Sequence, residues 1–264
     1  RGSIPQFVMN KLIKSSLRNV ETIKRKYQRS GAITDKEVRD EFIARIGDAA
    51  PLLPEQQCLV DRCMSLEDVS RWEFQELKSS DHRVKYFTRF NPSVPGESNI
   101  ATGKATAQID ASAETVLAWR WAWCSNEKMQ IHREDPRSQA RLVVKEVSAN
   151  HLIVSTKKKL PFPFKSREFV IGCVWSKLED GSFIYCWESI DHASSPGKAR
   201  RGYCIGFMKM TNLPGNHRCE FTMIQKIDPR GNLPTWVINR EVKDSLSTPN
   251  QLHKAFDREK ELDA

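Results

Sequence analysis

From Arg71 to Ile227 the chain alternates apolar and polar residues in nine short runs, interrupted by one stretch of helical period. Alternation of this kind sends successive side chains to opposite faces of a pleated strand, so most of the chain is committed to a sheet. The runs are RWEFQEL, HRVKYFTRF, ATGKATAQI, ARLVVKEV, HLIVSTKKKL, SREFVIGCVW, SFIYCWES, RGYCIGFMKM and RCEFTMIQKI, with turn formers between several of them. After the third comes DASAETVLAWRWAWCS, where Asp110 or Ser112 can cap a helix and Glu114 favours its first turn. Two further helices are predicted ahead of the sheet. Residues 34–47 start at Thr34 with Glu37 three later, and residues 54–66 start at Pro54 with Glu55 following. From Pro54 onward the predicted order is helix, three strands, helix, six strands, helix, an α+β arrangement in which a helix closes an antiparallel sheet.

The two ends of the chain resemble one another. GSIPQFVMNKLIKSSLRNVETIKRKY at residues 2–27 aligns without gaps to GNLPTWVINREVKDSLSTPNQLHKAF at residues 231–256. Seven positions are identical, from Gly2/Gly231 and Pro5/Pro234 to Ser16/Ser245 and Leu17/Leu246, where chance would supply about one or two. Met9, Ile13, Leu17, Val20, Ile23 and Tyr27 recur at steps of three and four, and Ile238, Val242, Leu246, Leu252 and Phe256 hold equivalent places. Each end therefore reads as an amphipathic helix entered through a Gly-x-x-Pro turn. Pro249 stands where Val20 does and withdraws a backbone donor, so a kink or restart is expected near Thr248. On this reading residues 1–30 close a preceding copy, residues 31–53 are a helical linker, and residues 54–260 form a complete domain within a longer parent protein.

Composition removes several functions. The net charge of +9 is concentrated at the start, where residues 1–45 hold 11 basic and 5 acidic side chains, and the remainder is nearly balanced. A groove that tracks phosphates needs many unpaired cations, so nucleic acid is not an expected partner. The longest apolar stretch runs from Phe169 to Trp175, well short of the roughly 20 residues of a membrane-spanning helix. No signal or transit peptide is read at the start. The seven cysteines include no C-x-x-C pair and the six histidines are scattered, so neither a metal site nor a cofactor is expected, and buried reduced thiols fit a cytoplasmic setting.

The motifs of serine hydrolases, zinc proteases, P-loops and dinucleotide folds are all missing. His132 beside Glu134 and Asp135 could be drawn as an acid–base pair, yet reads better as a surface histidine in a polar turn. Trp119, Trp121 and Trp123 read as core packing. Ala101, Gly103, Ala105 and Ala107 leave one strand face without bulk, which suits either a ligand space or a closely packed helix. The loop KKKLPFPFKSREF joins Lys157, Lys158, Lys159 and Lys165 to Phe162 and Phe164, the charge-plus-insertion pattern of proteins that dock on anionic membranes. A second basic loop carries Lys198, Arg200 and Arg201.

Three segments carry a family likeness: GKATAQIDASAETVLAW, PFPFKSREFV, and CEFTMIQKIDPRGNLPTWVIN leading into the closing helix. Through them residues 54–256 resemble a START domain, the lipid-binding member of the helix-grip folds, and GSIPQFVMNKLIKSSL resembles the closing helix of another copy. The resemblance implies a curved antiparallel sheet of about nine strands around a long C-terminal helix. It implies a hydrophobic tunnel between them for one sterol, phospholipid or sphingolipid, with the closing helix and adjoining loops acting as a lid. It implies carriage or sensing of lipid rather than catalysis, though enzymes such as cyclases and hydrolases use the same scaffold and a tunnel filled by its own side chains would make an interaction module. The expected ligand-facing residues are Ile238, Val242, Ser245 and Leu246, flanked by Trp236 and Val237, together with Arg167 and Glu168. The family commonly has Asp where this chain has Glu168, a longer acid that would place its carboxylate differently beside Arg167. The expected partners are the lipid, an anionic membrane surface touched transiently, and other START-like repeats in the parent chain.

Overall fold

The computed structural model describes residues 34–48, 51–67, 74–79, 81–89, 102–192, 199–215, 217–231, 233 and 245–257. The expected closing helix of a preceding copy, residues 1–30, lies outside the described residues. So do Lys198, Trp236, Val237, Ile238 and Val242 among the expected site residues.

All nine alternating runs hold strands: β1 (Gln75–Leu77), β2 (Val84–Arg89), β3 (Thr102–Ile109), β4 (Ser138–Ser148), β5 (His151–Lys158), β6 (Arg167–Lys177), β7 (Phe183–Ser189), β9 (Tyr203–Asn212) and β10 (Cys219–Asp228). A tenth, β8 (Arg200–Arg201), is a two-residue strip lying parallel to the start of β6. The other pairings are antiparallel, in the spatial order β1-β2-β3-β10-β9-β7-β6-β5-β4. Strands β3 and β10, which are far apart in sequence, pair from Ile109↔Cys219 to Thr102↔Lys226 and so join the two halves of the sheet.

Helix α1 (Asp35–Arg45) begins in a capping box: Thr34 Oγ1 accepts from Glu37 N at 3.3 Å and Glu37 Oε2 accepts from Thr34 N at 2.6 Å. Helix α2 (Pro54–Met64) starts on its proline, whose missing N–H costs nothing in a first turn. Helix α3 (Ala113–Trp121) is capped by Ser112, and helix α5 (Thr248–Phe256) begins afresh after Ser247 with Pro249 in its first turn. One helix was not expected. Helix α4 (Asn126–Glu134) contains His132 and Glu134, so HRED is the end of a helix rather than a polar turn. Its first amides are taken by Asp35 of α1, whose carboxylate accepts from Asn126 N at 2.9 Å and Glu127 N at 2.7 Å.

The period of two divides the sheet into two buried faces. Outward, Val174, Ile184, Cys186, Ile205, Phe207 and Ile224 meet Leu59, Val60 and Cys63 of α2. Inward, Cys173, Trp175, Tyr185, Trp187, Met208 and Met223 face α3, Leu246 and Leu252. Helix α1 adds to this inner layer: the Phe42 ring lies 5.9 Å from Trp121 and 5.6 Å from Trp175. Helix α1 therefore packs on the domain itself through Phe42.

Candidate functional site

The odd-numbered residues of β6 and β10 and the even-numbered residues at the end of β5 point inward, and where α5 passes over them the packing opens. Two cavities of about 330 Å³ and 220 Å³ share a wall that includes Arg120, Arg141, Thr156, Lys158 and Gln251. The smaller has an apolar end formed by Phe169, Ile171, Trp187, Met223 and Ile227. The larger is bounded by the end of α3, by α4 and by Tyr86 and Asn250. Together they reach the size range of small-molecule pockets, and their lining is mixed, apolar at one end and polar at the other.

The polar end is cationic. Arg120, in the last turn of α3, places its guanidinium 5.0 Å from the ring centres of Trp123 and Tyr185 and 5.7 Å from Trp187. Arg141 of β4 lies 3.7 Å from the Trp123 ring and donates through Nε to the Trp123 carbonyl at 2.7 Å. Burial and then the charge of Arg120 push the Arg141 guanidinium down to about 10. Lys128 is buried in the first turn of α4 and donates to the Trp119 and Arg120 carbonyls, capping the end of α3; burial, then Arg120 and Arg141, hold its pKa well below the ordinary lysine value. Asp135 at the cavity wall is engaged already, accepting from Lys158 Nζ at 3.0 Å and from Arg137 N at 2.9 Å. His132 Nδ1 lies 2.7 Å from Ser138 Oγ, so its ring nitrogen is directed to a hydroxyl and not to Asp135.

Of the expected ligand-facing residues, Arg167 and Ser245 line the smaller cavity. Ser245 Oγ accepts from Gln225 Nε2 at 2.7 Å. Arg167 is 3% exposed, and its guanidinium donates to the carbonyls of Pro229, Lys165 and Arg230. The Arg167–Glu168 pair does not form. Adjacent residues of a strand face opposite ways, so Glu168 lies on the outer side, where its Oε1 accepts from Ser155 Oγ at 3.4 Å. Leu246 is fully buried and packs on β3, where a Cβ added to Gly103 would come within 2.8 Å of Leu246 Cδ1. The bare face of β3 is thus covered at Gly103 by the closing segment and does not line the cavities.

The expected docking residues divide. Phe162 is 96% exposed, Lys159 is exposed, and Phe164 and Lys157 are half-buried. Lys158 is a correction: the alternation of β5 turns it into the cavity, onto Asp135. Arg200 is exposed, whereas Arg201 is half-buried and donates to the His192 carbonyl. Leu160 and Arg167, on either side of Phe162 in the chain, both line the smaller cavity.

Arg120, Arg141 and Lys128 escaped the sequence reading. A signal existed: Arg141 shares a strand face with Val143 in ARLVV, and Arg120 sits inside WRWAW, both places where an apolar side chain is the ordinary occupant.

A START domain family model matches residues 65–258. No curated protein matches the chain in sequence. Among solved structures, human STARD10 superposes with a TM-score of 0.59 at 17% identity, over 83% of this chain and 86% of that one. The lipid transfer and protein localization domain of human StarD13 (DLC2) gives 0.56 at 18% identity, over 78% and 98%. Human StAR-related lipid transfer protein 5 gives 0.55 at 16%, over 77% and 98%. At these identities the likeness is one of fold.

Proposed function

The chain belongs to the START domain family, and from that premise we propose that it binds one hydrophobic lipid, of the sterol, phospholipid or sphingolipid classes, between its sheet and closing segment, and carries or senses it. The observation that supports this most directly is the cavity beneath α5, with an apolar end at Phe169, Ile171, Trp187, Met223 and Ile227 and polar groups at the other. Each methylene moved from water into such a space contributes about 0.8 kcal/mol, so the acyl or ring portion supplies affinity and the polar end orients the headgroup. This is a binding role and not a catalytic one. The exposed Phe162 and Lys159 of the loop after β5, with the exposed Arg200 of β8, serve as the contact with anionic membranes through which lipid enters or leaves. Residues 1–30 are read as the closing helix of a preceding START-like copy, on their similarity to residues 231–256.

Mass spectrometry of the organic extract of the purified protein, before and after incubation with mixed-lipid vesicles, tests the reading. We expect one lipid per protein molecule. Protein that stays empty after incubation rejects it.

A further inference from the structure

Buried cations in folded proteins are ordinarily matched by a carboxylate, because an unmatched charge loses its hydration without compensation. Arg120 and Arg141, half-buried at the cavity wall, depart from this. Among the described residues neither pairs with a carboxylate: their guanidinium groups meet aromatic faces, the Trp123 carbonyl and one another, with the Lys128 ammonium also close, and the buried Nε of Arg120 has no hydrogen-bond partner. Aromatic rings attract a guanidinium but do not neutralise it. The acid on the cavity wall, Asp135, is held by Lys158 and Arg137. Two guanidinium groups without a carboxylate partner among the described residues therefore line both cavities, next to the apolar end.

We infer that the cavity selects a net-anionic lipid, whose carboxylate or phosphate oxygens are received by Arg120 and Arg141. The planar fork of each guanidinium fits an oxyanion bidentately, and partial burial strengthens that contact relative to solvent. A zwitterionic headgroup fits less well. Its ammonium would need an acid or an aromatic cage, yet Asp135 is already engaged and the faces of Trp123, Tyr185 and Trp187 already carry Arg120. The inference rests on the proposal that this cavity holds lipid, and it names the class.

Vesicles containing equal amounts of phosphatidic acid, palmitate, phosphatidylcholine and cholesterol are offered to the whole protein, and the captured lipid is quantified by mass spectrometry. Phosphatidic acid or palmitate should exceed both others by roughly tenfold or more, the winner telling phosphate from carboxylate. Arg120→Gln should erase that preference, Arg120→Lys should keep part of it, and Arg141→Gln provides an independent loss should the first variant not fold. Capture of phosphatidylcholine or cholesterol at an equal or higher level overturns the anionic preference while leaving lipid binding intact. Capture of none of the four overturns both.

Discussion

A Cβ on Gly206 of β9 would lie 2.6 Å from the Ile224 carbonyl oxygen, 2.6 Å from Trp187 Cζ2 and 2.7 Å from Gln225 Cβ. Backbone oxygen and a packed indole have nowhere to go, so Gly206→Ala should lower stability by about 1–3 kcal/mol, read as an earlier midpoint in urea unfolding. Gly103→Ala makes a useful contrast. Its new methyl would meet the tip of Leu246, which can rotate, so its loss should be clearly the smaller of the two. A reversed order would mean that β9 has more freedom than its packing implies. At this scale the sequence was only partly legible. Neighbouring residues that look like a pair, Arg167 and Glu168, are separated by the strand's own pleat. Residues that meet in space, Arg120 and Arg141, lie on a helix and a strand, and nothing local links them. What was readable was their position: both occupy inward sites in alternating or tryptophan-rich segments.

Elements were more legible than contacts, and the exceptions have physical causes. Every strand that shows a period of two was recognisable, whereas β8 spans two arginines and has no period to show. Helix α4 was hidden because the residue it buries is Lys128, a cation where the helical pattern calls for an apolar side chain. The break before α5 was readable because proline leaves a mark no packing can erase. The closing segment was expected to contribute Leu246 to the ligand, but in the structure that residue is wholly buried against Gly103 and fastens the segment to β3. Leu246→Ala should therefore cost about 2–5 kcal/mol of stability through the cavity it leaves. The variant's lipid should stay the same in kind, because Leu246 does not line the cavities. Calorimetric unfolding together with mass spectrometry of the bound lipid checks both halves, and a changed lipid at unchanged stability would return Leu246 to the binding site.

For the whole molecule, the question is how a lipid passes between a buried space and a membrane. Phe162 stands almost fully in water, in the loop between Leu160 and Arg167 of the smaller cavity's lining, with the exposed Lys159 three residues before it. Inserting one phenyl ring into an interface gains about 1.5–3 kcal/mol, and one lysine near an anionic surface about 1 kcal/mol. The two contributions respond differently to salt, and that separates them. Raising ionic strength from 0.1 M to 1 M shortens the screening length from about 10 Å to about 3 Å, which removes the lysine's pull and leaves the ring's insertion. Phe162→Ser should therefore slow delivery to phosphatidylserine vesicles at both salt concentrations, whereas Lys159→Glu should slow it at 0.1 M and match the parent at 1 M. Lys158→Glu behaves in a third way. That side chain faces Asp135 inside the cavity, so its replacement should change how much lipid the protein holds more than how fast it docks. Stopped-flow transfer between donor and acceptor vesicles distinguishes the three patterns, and a Phe162→Ser variant that delivers at the parent rate would remove this loop from the membrane contact.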